Sequence, residues 1–282
     1  MATRVLIVGL NPFDSGKTGA AIQIVRSLSE NHKVEFFKPI SGHNYWYRFE
    51  HTRYCLDSRK LVSYDATRVR QVFQSNVHDF LANPVHALYV PAHLQRPGEN
   101  LTNTLGLAGW DSALAMQRMS HPSGNGVQST MLIAEDLIQK GRLLLTLEEA
   151  DRLSKGTTPQ PITRLEEVQN VENDCYEAFV SESFKELEKA SDIVVIESFN
   201  DSVWPWEGLD KVDIVLAVGP GHVFSYEPER FRRASVFVKH DSAPIREVTF
   251  GRIADLLKPI RKVALLPAEG LTDEAVREMG VF

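Results

Sequence analysis

Val5-Leu-Ile-Val-Gly-Leu-Asn-Pro-Phe-Asp-Ser-Gly-Lys-Thr18 reads as an apolar strand, a loop, and a helix that opens at the Gly-Lys-Thr. Such a loop aims successive backbone N–H groups, at the positive end of the helix dipole, toward one point, an arrangement that cradles phosphate oxygens. Lys17 is expected to reach the β- and γ-phosphates of a nucleotide and the Thr18 hydroxyl to bind Mg²⁺. The pattern G-x-x-x-x-G-K-[ST] asks for glycine at position 11, where this chain has Asn11, with Gly9 two residues earlier. Asn is the non-glycine residue that best tolerates left-handed geometry, which makes the substitution physically reasonable. The expected nucleotide-binding residues here are Asn11, Asp14, Ser15, Gly16, Lys17, Thr18 and Gly19. A chance Gly-Lys-Thr in a loop is the competing reading, and the strand before it and helix after it argue against that.

Outward from this segment, apolar runs recur at Arg4 to Gly9, Lys33 to Ile40, Asp192 to Glu197, Asp213 to Val218, Ala234 to Val238 and Lys262 to Pro267. Near-continuous runs of this length fit parallel strands covered on both faces. Amphipathic stretches separate them: Thr18 to Ser29, Ala66 to Val77, Tyr176 to Ala190, Glu227 to Arg233 and Arg246 to Leu257. The alternation predicts an α/β protein with a mainly parallel, doubly wound sheet. From about His93 to Asp174 the rhythm breaks into Gly, Asn, Ser and Pro clusters around the helical-looking TMLIAEDLIQKG and TLEEADRLS. The expectation is a single domain over 1–282 with an elaborated insertion at about 96–174, as a lid or an oligomer surface.

With 43% hydrophobic and 24% charged residues, the 282-residue chain has the makings of a sizeable core. A net charge of −6 argues against general electrostatic attraction to nucleic acid or anionic lipid. Cys55 and Cys175 lie in no CxxC or Cys/His spacing that suggests zinc or redox chemistry, and both read as packing residues. No secretory leader or membrane-length apolar run is evident, so the cytoplasm is the expected compartment.

After the phosphate loop come Lys38-Pro39-Ile40-Ser41-Gly42, then Ser63-Tyr64-Asp65-Ala66, Asn83-Pro84, and Asp192-Ile-Val-Val-Ile-Glu197-Ser-Phe-Asn. In this order they resemble dethiobiotin synthetase and its relatives, the P-loop enzymes that include the cobyrinate amidotransferases and nitrogenase iron-protein-like ATPases. The resemblance implies the three-layer P-loop NTPase fold, ATP and Mg²⁺ as cofactors, and a homodimer. It implies Thr18, Asp65 and Glu197 as metal ligands, a set of hard oxygens that suits Mg²⁺. Lys17, Lys38 and Glu197 would be catalytic, with Pro12, Phe13, Ser41 and Gly42 on the substrate side. Each has a plainer reading: Glu197 as a solvated strand-end carboxylate, Asp65 as a helix cap, Lys38 as a surface lysine, Gly42 as a tight turn.

Lys239, His240 and Asp241 follow the expected strand at Ala234 to Val238 and are candidate base readers. In the relatives a similar strand ends in Asn-Asp before a Pro and reads adenine. The same residues also look like the guanine-reading Asn/Thr-Lys-x-Asp of GTPases, with Val238 in the first place; ATP is favoured and GTP stays open. The departures are all on the substrate side: Asn11-Pro12-Phe13-Asp14-Ser15 in the loop, Ser198-Phe199-Asn200-Asp201 after the acidic residue, and an aromatic, basic stretch from His43 to Tyr54 that either stacks a planar ligand or packs as an amphipathic edge. The expected activity is a Mg²⁺-dependent NTPase or ATP-dependent ligase that activates a carboxylate or carbamate of an unknown small-molecule acceptor. The alternative is a nucleotide-dependent switch or scaffold with slow hydrolysis and a protein partner. No G-x-S-x-G elbow and no G-x-G-x-x-G after the first strand point to a hydrolase triad or a dehydrogenase.

Overall fold

The computed structural model describes residues 2–94, 112–124, 126–240, 243–266 and 270–281. In chain order its first elements are β1 (Thr3–Gly9), α1 (Lys17–Ser29), β2 (Val34–Phe37), β3 (Ile40–Asn44), α2 (Phe49–Ser58), α3 (Tyr64–Arg70), α4 (Asp79–Ala82), β4 (Val85–Pro91), β5 (Ser112–Ser123) and β6 (Gly126–Ile133). There follow α5 (Glu135–Gln139), α6 (Leu147–Leu153), β7 (Thr158–Pro161), α7 (Leu165–Ala190), β8 (Ile193–Glu197), β9 (Ile214–Gly219), β10 (His222–Tyr226), α8 (Pro228–Val238), α9 (Phe250–Ile253), β11 (Arg261–Ala264) and α10 (Asp273–Glu278). The protein is α/β, with two mixed sheets. It divides into two compact units: 1–39, 65–78 and 183–282 form the first, 40–64 and 79–182 the second. Where a single domain with an insertion at about 96–174 was expected, the second unit therefore also takes in 40–64 and 79–95.

The first unit holds a six-stranded sheet in the order β11-β10-β9-β1-β8-β2. Strands β9, β1, β8 and β2 are parallel, while β10 and β11 run antiparallel to their neighbours. Every residue of β8 is buried, as are Arg4 to Gly9 of β1, because both faces of these strands are covered. Side chains alternate across a strand. Val5, Ile7, Phe36, Val195 and Leu216 pack with Ala20, Ile24 and Leu28 of α1 and Val276 of α10, while Phe37 turns the other way to Phe184 and Trp206. The Pro220-Gly221 step is the turn of the β9–β10 hairpin, with Gly221 at φ 78° where a residue with a side chain would be strained.

The second unit holds the order β3-β4-β5-β6-β7, with β3/β4 and β6/β7 parallel and the two central pairings antiparallel. Its own core gathers Leu88, Val90, Ala115, Met116 and Met131 with Leu56, Ile138 and Leu153.

Three expected elements differ. Ala234 to Val238, read as a strand, is the last turn of α8: Pro228 opens that helix, the Glu227 side chain accepts from the Glu229 and Arg230 N–H groups, and Phe231, Ala234 and Ser235 fall on one buried face. TMLIAEDLIQKG, read as helical, is β6 through Ile133 followed by α5, since Thr130 to Ile133 complete the ladder against β5. Arg246 to Leu257 is a broken series, a 3₁₀ turn at Ile245–Glu247, then α9, then a second 3₁₀ turn at Ala254–Leu256. In addition, α3 stops at Arg70, where Arg70 donates to the Val77 carbonyl and Ser75 to Glu35 in place of further helix bonds. No helix among the described residues is long and apolar enough to cross a membrane.

Candidate functional site

Four parallel strands end at one edge of the first sheet, which is why residues far apart in the chain meet there: Gly9 at the end of β1, Lys38 after β2 and Glu197 at the end of β8. Between β1 and α1 the chain turns through left-handed conformations at Asp14 (φ 49°) and Gly16 (φ 90°). Gly16 is the N-cap of α1 and provides no side-chain cap, leaving the first-turn N–H groups to partners outside the helix. Asn11 is not left-handed, so that justification for Asn at this position fails. Asn11, Pro12, Phe13 and Asp14 lie exposed, with Phe13 75% accessible, whereas Ser15 and Lys17 are buried. Gly19 is exposed in the first turn of α1 and a side chain there would meet open space.

The Lys17 ammonium donates to the Asn200 carbonyl at 2.6 Å and to Ser15 Oγ at 3.1 Å. Gly9 lies directly under it, and a Cβ there would stand 2.8 Å from Lys17 Nζ and 2.7 Å from the Asn200 oxygen. Thr18 donates its hydroxyl to Glu197 Oε1 at 3.1 Å. Lys38, 3% exposed, donates to the same Oε1 at 2.6 Å and to the Ser198 carbonyl at 3.2 Å, and pairs with Asp65 Oδ2 at 3.2 Å. Glu197 is 1% exposed, and its second oxygen, Oε2, is buried without a hydrogen-bond partner.

Two ammonium groups and two carboxylates thus share one corner, and burial competes there with the neighbouring charges. It lowers Lys17 to about 8, with Lys38 the next cause. Burial would also lower Lys38, but Glu197 and Asp65 beside it outweigh that and hold it above the ordinary lysine value. For Asp65 burial acts upward and is overcome by Lys38, which keeps the carboxyl below its usual range. Glu197 is pushed up by burial, with Lys38 offsetting only part.

The structure therefore brings Lys17, Thr18, Lys38, Asp65, Glu197 and Ser15 together in the first unit. Ser41 and Gly42 belong to β3 of the second unit, and Gly42 is no turn: a Cβ there would lie 3.1 Å from the Tyr89 ring. Lys239 follows a helix, not a strand, and is ion-paired with Glu207; His240 is exposed, and Asp241 lies outside the described residues. Two contributors were not singled out from the chain: Gly9, and Asn200, left-handed at φ 47°, whose carbonyl receives Lys17. In the strand end Glu197-Ser-Phe-Asn, the Asn shortly after the acid is the available signal for a left-handed turn. Cys55 is buried, and that burial pushes its thiol up to about 11.

No protein-family model, no curated protein and no solved structure matches the chain.

Proposed function

We propose that the first unit binds a nucleoside triphosphate, ATP in preference to GTP, with Mg²⁺, and transfers its γ-phosphoryl group to water or to a carboxylate or carbamate oxygen. The observation that carries this reading is the convergence of Lys17, Lys38, Thr18, Asp65 and Glu197 on one strand edge beside a helix N-terminus preceded by a left-handed glycine. The fold belongs with it as the three-layer P-loop NTPase arrangement, supported by four parallel strands with β1 central.

The donor set fits a magnesium ion: hard oxygens of Thr18, Asp65 and Glu197, with Glu197 Oε2 buried and lacking a hydrogen-bond partner. Bound there, the ion would neutralise charge on the β- and γ-phosphates. The chain's own residues do the remainder. Lys17 exchanges the Asn200 carbonyl and Ser15 hydroxyl for phosphate oxygens, a gain for an ammonium whose burial disfavours its charge. Lys38, held charged by two carboxylates, sits where negative charge on the transferred group is stabilised as the bond to the leaving oxygen breaks. Both base-reading resemblances require a strand before Lys239, and α8 stands there instead; ATP is put first on the order of the motifs from Lys38 to Glu197.

The test is phosphate release under single-turnover conditions. Lys38→Met is expected to slow release by about a hundredfold, the scale of losing one charge-stabilising donor, while nucleotide binding persists. An unchanged rate removes Lys38 from the chemistry.

A further inference from the structure

Helix α2 places His51 and Cys55 four residues apart, hence on the same face, and that face is buried: His51, Thr52, Cys55 and Leu56 point inward while Arg53 and Tyr54 are exposed. Strand β3 delivers a third buried group, His43. One ligand-capable atom from each of His43, His51 and Cys55 lies within 4.8 Å of the others. Cys55 Sγ and His51 Nε2 are already 3.6 Å apart, close to the spacing of two ligands around a tetrahedral zinc with bonds of about 2.3 Å to sulfur and about 2.0 Å to nitrogen.

A chain of hydrogen bonds behind His43 orients its ring. Asn83 donates its amide N–H to the Val85 carbonyl, so its Oδ1 is the acceptor, receiving Arg118 and the Ser41 hydroxyl at 3.1 Å. Having given its proton to Asn83, Ser41 Oγ accepts from His86 Nδ1 at 2.6 Å. His86, fully buried, holds its Nε2 2.8 Å from His43 Nδ1. On its other side His43 Nε2 lies 3.2 Å from the hydroxyl of Thr52, which donates to the Arg48 carbonyl. Outer partners that orient and fix the tautomer of a ligating imidazole are the usual support of a metal site.

We propose that His43, His51 and Cys55 bind a borderline transition-metal ion, Zn²⁺ first among them, at a site in the second unit separate from the phosphate-binding residues. Two imidazoles and a thiolate suit Zn²⁺ and do not suit Mg²⁺, which takes oxygen. On binding, the Cys55 thiol proton leaves to solvent as the Sγ–metal bond forms, and the remaining coordination position is open to water or a small ligand. In the metal-free arrangement the Val62 carbonyl accepts from His51 Nε2 at 2.9 Å and from Cys55 Sγ at 3.7 Å; ligation through Nε2 breaks the first of these bonds as the imidazole changes tautomer, its proton exchanged through solvent onto Nδ1.

The experiment is Co²⁺ titration of the chelator-stripped full chain. The expected result is one equivalent bound with a thiolate-to-metal charge-transfer band, displaced by Zn²⁺ and unaffected by Mg²⁺, lost in Cys55→Ser and kept in Cys175→Ser. Ser41→Ala keeps the band with affinity lowered about tenfold to a hundredfold, the range for outer-sphere partners. Absence of the band in the wild type, or its survival in Cys55→Ser, overturns the proposal. X-ray absorption of the zinc-loaded wild type needs no substitution: sulfur with imidazole nitrogen supports the site, and a shell without sulfur refutes it.

Discussion

Lys17 holds its proton less firmly than an ordinary lysine because burial and the neighbouring Lys38 bring it to about 8. Between that value and the ordinary lysine value the unfolded chain carries more protons than the folded one, so this lysine's contribution to stability improves as pH rises through the window. Phosphate binding works the other way, since an anion beside Lys17 restores its charge. In the proposed reading, nucleotide binding above about pH 8 takes up a proton and weakens as pH climbs. Calorimetry in two buffers of different ionisation heat checks it; equal heats at alkaline pH contradict it. Gly9 is the second residue with a sharp expectation. A methyl group there collides with the Asn200 oxygen and Lys17 Nζ, so Gly9→Ala is expected to cost about 1–3 kcal/mol on chemical denaturation, the scale of overpacking, and to weaken nucleotide binding with it. Lys17, Thr18, Lys38, Asp65 and Glu197 were readable from the chain because each follows or ends a strand at the same edge or opens a helix. The His43, His51 and Cys55 grouping was not, because its members come from a strand and a helix whose packing no spacing along the chain reveals.

Elements were legible in proportion to how completely burial dictated their composition. Strands β1, β8 and β9 are covered on both faces and read as unbroken apolar runs. The twelve residues of β5, SALAMQRMSHPS, carry no such signal, yet nine of them are buried, Gln117 and Arg118 included; the polar ones are satisfied, Arg118 by carbonyls of Leu61, Asn83 and Pro84. The β-rich ASVFV at Ala234 to Val238 went to a helix because Glu227 and Pro228 start one and two of its five residues face solvent, Val236 and Phe237, the latter at 79% exposure. Helix α6 was readable by its ends: Thr146 and Glu149 form a capping box, each side chain bonding the other's backbone N–H. Thr146→Ala is expected to cost about 1 kcal/mol, read from the urea midpoint of the full chain at constant slope; no shift refutes the cap's contribution.

At the scale of the whole molecule, the α/β class was visible in the alternating runs, but the partition was not. A second sheet with its own core, built from Leu88, Ala115, Met116 and Met131, hides behind strands of modest apolar content and Gly/Pro-rich connections. Because the proposed phosphate-binding residues all lie in the first unit, hydrogen exchange is expected to slow on nucleotide addition around 9–19, 38, 65 and 197–201. Protection confined to the second unit's sheet contradicts that placement. The central claim is tested most directly by a thermal-shift panel of ATP, ADP, GTP and GDP with and without Mg²⁺, on the wild type and on Lys17→Met, since a ligand that binds only the folded state raises stability by RT ln(1 + [L]/Kd). The expected result is a shift with ATP and Mg²⁺ that disappears in Lys17→Met; no shift with any nucleotide, or the same shift without the lysine, contradicts the account.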